Sequence, residues 1–262
     1  MNIKIPSEIK SDYYGYTELI NLLHRIKLSD KKKLTLDFSC NRWFEANLSA
    51  ILGAINELIV SQEKSIKLIN LSEKLENILK RNRFMTIFGE DILEDWNNTV
   101  ISYKTFKLSE DSAFESYIKD ELLSKPDFPR HSKQLGKKIN ESIFEIYENA
   151  RTHGKCQQIH TCGQYYPNKI PKRLDITIVD LGKTIKLNVN EFLNTSLNGY
   201  ETIEWALKYG NTTKTGNISG GLGLDLIFEF IKLNKGKIQI ISSDGYWEYR
   251  KTRRSKHVFK EA

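Results

Sequence analysis

The chain has 262 residues, 39% hydrophobic and 28% charged, which is enough apolar material for packed cores and excludes wholesale disorder. No run approaches the ~18 apolar residues of a membrane span, the opening MNIKIPSEIKSDYYGYTEL lacks the apolar stretch of a signal peptide, and Cys40, Cys156 and Cys162 are too few for a disulfide framework. The expectation is a cytoplasmic protein of two domains with reduced thiols; its net charge of +7 comes from scattered lysines, so a solvated surface accounts for it more readily than an anionic partner.

In chain order, the pattern around YTELINLLHRI predicts a helix, and KKLTLDFS alternates Leu34, Leu36 and Phe38 against polar neighbours as a half-buried strand does. FEANLSAILGAINELIVSQ follows, with Leu48, Ile51, Leu52, Ile55, Leu58 and Ile59 at helical spacing. SIKLINL reads as a second strand, and SEKLENILKRNRF as a second amphipathic helix with Ser72 as its N-cap. Strand, helix, strand, helix in so short a span predicts an α/β layer with parallel strands.

The order in which LDFS feeds a helix and KLINLSEKLENILKRNRFMTIFG closes the unit resembles a STAS domain of the anti-sigma-factor antagonist kind, over about residues 30–95. Such domains often carry a phosphorylatable Ser at the start of the first helix; here Asn47 stands at that position, with Ser49 close by. The resemblance therefore implies a scaffold or interaction domain over residues 1–100 rather than a regulated phosphosite.

Composition shifts near residues 97–105, VISYKTF reads as a strand, and SKPDFPRHS is a proline loop before a helix that ends in FEIYENARTHG. On that helix Glu145 and Asn149 lie one turn apart, beside an apolar stripe of Ile139, Ile143, Tyr147 and Ala150. QIHTCGQYY is a strand that puts His160 and Cys162 on one face; with His153 and Cys156 they lack the paired spacing of a structural zinc site. RLDITIVDLGKTI is a strand with Asp180 and Gly182 at its end. The polar loop from Gly210 to Gly221 runs into a helix at GGLGL, where backbone amides and the helix dipole suit a phosphate, although neither a Walker pattern nor Gly-x-Gly-x-x-Gly occurs. KIQIISS is a further strand, and RKTRRSK reads as a solvated basic tail.

The ordered set of Glu-x-x-x-Asn on a helix, Asp-x-Gly at a strand end, and a Gly/Thr/Asn loop closing in GGLGL resembles the Bergerat-fold (GHKL) ATP-binding domain over about residues 130–250. The implied fold class is a STAS-like α/β module over residues 1–100, then a Bergerat α/β sandwich over residues 101–262, a mixed sheet covered by helices. The resemblance implies ATP and Mg²⁺ as cofactors, with Asn149 as the metal ligand, Asp180 accepting from the adenine amino group and Gly182 letting the base lie against backbone. It also implies Gly220, Gly221, Leu222, Gly223 and Leu224 as the second glycine box, and Thr212, Thr213 and Lys214 as lid residues, with Lys214 in reach of the terminal phosphate. Thr184 departs from the family, which usually has a second glycine there, and a β-branched residue disfavours positive φ.

If Asn149 holds the metal as the resemblance implies, Glu145, a turn before it, is positioned to orient or deprotonate a water near the γ-phosphate, a role typically worth about 10²–10⁴-fold. His131 lacks the acidic neighbour of a histidine autokinase acceptor. The expectation is a slow Mg·ATPase that acts as a nucleotide-driven switch for a regulatory or STAS-type protein partner. A non-hydrolysing nucleotide-gated module and a Ser/Thr protein kinase stay open, as does a homodimer. Aromatic and basic residues together are compatible with single-stranded nucleic acid, but no nucleic-acid motif is present.

Overall fold

In the computed structural model, which describes residues 1–125, 128, 132–151, 156–208, 210–213, 223–250 and 253–259, the periodicities of the first half become a parallel α/β layer. Its elements are β1 (Asn2–Lys4), β2 (Glu8–Ile9), α1 (Tyr13–Lys27), β3 (Lys33–Asp37), β4 (Trp43–Phe44), a 3₁₀ turn (Ala46–Leu48), α2 (Ser49–Val60), β5 (Ser65–Ile69) and α3 (Glu73–Arg81). Strands β1, β3 and β5 pair in parallel in that order, and β2 pairs in parallel with β4. Helix α1 starts where Asp12 accepts from the Gly15 amide at 2.9 Å, and it buries Tyr16, Leu19, Leu22 and Ile26 at helical spacing. Ser72 caps α3 by accepting from the Leu75 amide, as its sequence predicts.

A 3₁₀ turn (Phe84–Phe88) leads out of this layer, followed by β6 (Val100–Lys107), α4 (Asp111–Tyr117), a π turn (Ile118–Leu123), α5 (Lys133–Asn149), β7 (Gln158–Tyr166) and β8 (Arg173–Asp180). The chain continues through α6 (Ile185–Leu193), α7 (Gly199–Ala206), α8 (Gly223–Leu233), β9 (Lys237–Ser242), β10 (Gly245–Arg250) and β11 (Arg253–Val258). The overall class is mixed α and β. Instead of the one mixed sheet expected for the second half, its described residues form two antiparallel sheets, β6-β7-β8 and β9-β10-β11. Short connections explain this for β7-β8 and for β9-β10-β11, because tight links join antiparallel neighbours whereas parallel ones need a crossover.

The β6-β7-β8 sheet is covered on both faces. On one face α4, α5 and α8 close a core around Ile101, Phe114, Ile143, Tyr147 and Ile159, with Ile178 and Phe230 at its margin. On the other face the 3₁₀ turn before α2, and α2 itself, supply the cover, so that Cys162 belongs to the buried cluster of the first half. Strand β7 shows the alternation directly. Ile159 and Thr161 face α4 and α5, while His160 and Cys162 face the first half, where His160 meets Glu57 at 2.6 Å and Cys162 lies 3.5 Å from Asn82.

The basic run RKTRRSK does not form a solvated tail. Its last four residues begin strand β11, laid antiparallel on β10 with Tyr246 opposite His257, and the strand carries Phe259 back onto the first half, where its ring stacks on Tyr13 at 5.4 Å. Charge density alone concealed a strand whose pairing partner is set by a hairpin. No helix among the described residues is long and apolar enough to cross a membrane.

Candidate functional site

Helix α5 is fixed in rotation by its apolar stripe. Ile139, Ile143, Tyr147 and Ala150 are buried, Tyr147 stacks on Phe114 at 4.8 Å, and its hydroxyl donates to the Lys107 carbonyl at 2.6 Å. Ser132 starts the helix by accepting from the Leu135 amide at 3.1 Å. With that face committed inward, Glu145 and Asn149 lie on the neighbouring face, both half-buried.

Asp180 ends β8, opposite Ile159 of β7. Its Oδ1 accepts from the Gly182 amide at 2.8 Å, the turn that Asp-x-Gly predicts. The residue is exposed, yet protein packed nearby partly desolvates the carboxyl and raises its pKa above the ordinary value, an effect the Gly182 amide partly offsets. Cys156 precedes the same end of β7. The Cys156 thiol donates to the Ala150 carbonyl at 3.6 Å, and its pKa is pushed up to about 11, first by burial and next by the negative charge of Asp180. Asp180 is thus paired at the start of β7, just after the thiol that bonds the end of α5, where Asn149 sits.

Thr184 stands at the N-cap of α6 with φ −71° and ψ 157°, and its hydroxyl accepts from the Leu187 amide at 3.2 Å. No positive φ is required there, so the β-branched residue is unstrained and supplies a cap that glycine would not. Downstream, Ile185 donates its amide to Ser242 Oγ at 2.9 Å and Lys186 pairs with Asp244 at 3.0 Å, which holds the start of α6 against the turn between β9 and β10.

Of the expected lid, Thr212 and Thr213 are half-buried and follow Gly210, whose φ of +81° suits glycine. Lys214, Gly220, Gly221 and Leu222 lie outside the described residues. Gly223 and Leu224 form the start of α8, which packs along α5. His153 also lies outside the described residues, whereas His160 is engaged by Glu57 and by the Tyr103 hydroxyl at 3.0 Å, with burial lowering its pKa.

A second polar constellation escaped the sequence. The Ser11 amide donates to Glu45 at 2.7 Å, Arg173 reaches Glu45 at 2.5 Å and Asp175 at 3.0 Å, and Lys237 donates to the Ser11 carbonyl. Gln239 adds a bond to Ser11 at 3.0 Å and one to Glu248 at 2.8 Å. Burial alone would raise the Glu45 carboxyl, but the Ser11 amide and the Arg173 guanidinium outweigh it and hold it below its ordinary value. Burial pushes Asp175 up to about 6 despite Arg173. The only sequence signal was the alternation in RLDITIVD, whose polar face, Arg173, Asp175 and Thr177, is turned toward the first half; Thr177 accepts from Asn47 at 2.8 Å.

Comparison of the chain with protein-family models, with curated proteins and with solved structures gave no match.

Proposed function

We propose that this protein binds Mg·ATP through the helix, strand-end and glycine-loop set described above, and hydrolyses it slowly as a switch for a protein partner. The observation that carries the reading is that Asp180 pairs with Ile159 at the start of β7, just after Cys156, whose thiol bonds the end of α5, since both motifs are needed at one pocket. The donor set suits the cofactors chemically. Asn149 offers a neutral amide oxygen, which fits a cation that keeps most of its waters, and Asp180 offers a carboxylate beside an amide turn, which fits an exocyclic amino group. Glu145, on the face of Asn149, would orient or deprotonate the attacking water.

A kinase acting on its own STAS-like module is disfavoured by burial. Asn47 is held by Ser11 and Thr177, and Ser49, fully buried, accepts from Asn82 at 3.1 Å, so no acceptor hydroxyl is presented there. The switch reading is tested by phosphate release from purified protein with Mg·ATP. Wild type should turn over, and Glu145→Ala should bind nucleotide while losing about 10²–10⁴-fold in rate. Equal turnover in the two proteins would remove Glu145 from the chemistry and leave the nucleotide-gated module.

A further inference from the structure

Between the 3₁₀ turn Phe84–Phe88 and β6, the chain presents apolar side chains to solvent on a loop that is anchored at both ends. Ile92 is 53% exposed and Trp96 82% exposed, with Leu93 also exposed between them. At the entry, Glu90 pairs with Lys80 at 3.4 Å. At the exit, Asp95 accepts from the Val100 amide at 2.7 Å, and Lys125 donates to Asn98 Oδ1 at 2.7 Å. The loop GEDILEDW carries Glu90, Asp91, Glu94 and Asp95 and no basic residue, in a chain of net charge +7. Apolar anchors held in place and rimmed by one sign of charge are a preorganised contact surface.

A patch of the opposite sign lies at the same end of the β6-β7-β8 sheet. There the Tyr165 amide donates to the Thr99 carbonyl at 2.7 Å, next to the turn that joins β7 to β8. That turn carries Lys169 and the fully exposed Ile170. Lys169 and Lys74 both approach the half-buried ring of Trp43, at 5.7 Å and 5.2 Å, and Arg42 is exposed beside it. This surface is apolar with a cationic rim, the complement of the loop.

We propose that the loop of residues 90–96 docks on the Trp43, Lys74, Lys169 and Ile170 patch of a second copy of this chain, and reciprocally, in a two-fold dimer. Two adjacent patches of opposite sign on one chain satisfy each other twice under two-fold symmetry, whereas like patches meeting would set carboxylate against carboxylate. Trp96 and Ile92 supply the apolar anchors, and the charged rims set the register.

Sedimentation velocity on the full chain tests this. Wild type should show a dimer fraction that rises with protein between ~1 and ~100 µM and falls as salt screens the rims. Trp96→Ala should weaken the dimer about 10–100-fold. The paired changes Asp91→Lys with Glu94→Lys, and Lys74→Glu with Lys169→Glu, should each give monomers alone and a dimer when mixed, since the mixed pair restores opposite signs at both contacts. All of these positions are exposed, and circular dichroism verifies the fold of each variant. A wild type that stays monomeric, a dimer indifferent to Trp96→Ala, or charge-swapped variants that fail to recombine would each overturn the proposal.

Discussion

At the scale of single residues, Asp180 is the most informative side chain, because two separate observations meet on it. Its carboxyl takes the Gly182 amide, and its pairing with Ile159 sets it at the start of β7, just after the Cys156 thiol that is bonded to the end of α5 and whose pKa its charge raises. Removing that charge should therefore lower the Cys156 pKa from about 11. In a Cys40→Ser background, which removes the exposed thiol, Asp180→Asn should shift the pH profile of Cys156 alkylation downward. An unchanged profile would contradict an electrostatic link between Asp180 and the thiol at the end of α5. The sequence made Asp180 legible through Asp-x-Gly, but gave no sign that Cys156 would lie near both motifs. That proximity depends on the pairing of β7 with β8, which no local pattern encodes.

At the scale of elements, legibility followed periodicity. The helices carrying Leu19, Leu22 and Ile26, or Ile139, Ile143 and Tyr147, announce their buried faces at helical spacing, and β3 announces its own by alternation. Strand β11 was concealed because its residues are basic, and in a hairpin the partner β10 decides the pairing. Thr184 shows the same limit in reverse. Against the glycine usual in the Bergerat-fold domains that the sequence resembles, it looked like a defect, whereas in place it caps α6. Thr184→Ala should cost about 0.5–2 kcal/mol of stability by denaturant titration, and Thr184→Gly only a few tenths. A neutral Thr184→Ala would mean that the cap contributes nothing, and the departure from the family pattern would again need an explanation.

At the scale of the whole molecule, the two halves are joined by buried polar groups as well as apolar ones. Tyr103, Cys162, Tyr246 and Phe259 belong to the cluster built by the first half, and Glu45, Arg173, Asp175 and Lys237 meet at the same junction. Such a network was unreadable in advance, since Ser11 and Gln239 are 228 positions apart. It makes a pH prediction. Asp175 has an ordinary value of 3.8 and a folded value of about 6, with Arg173, Glu45 and Lys237 facing it, so the folded state holds its proton more tightly than the unfolded chain does. The stability this group contributes is complete below 3.8 and is lost as pH rises through about 6. The stability of wild type relative to Asp175→Asn should therefore fall between pH 4 and pH 7, by up to ~3 kcal/mol in urea titrations. A difference that stays flat or grows with pH would show that Arg173 and Lys237 stabilise the charged carboxylate instead.

Nucleotide binding at the end of α5 underlies the proposed function. The most direct test is calorimetric titration of the purified chain with ATP, with and without Mg²⁺, beside Asn149→Ala and Asp180→Asn. Wild type should bind saturably, and Mg²⁺ should tighten the binding; with both variants folded, Asn149→Ala should lose the Mg²⁺ effect and Asp180→Asn should lose binding. No binding by folded wild type, or binding that both variants retain unchanged, would contradict the proposed function.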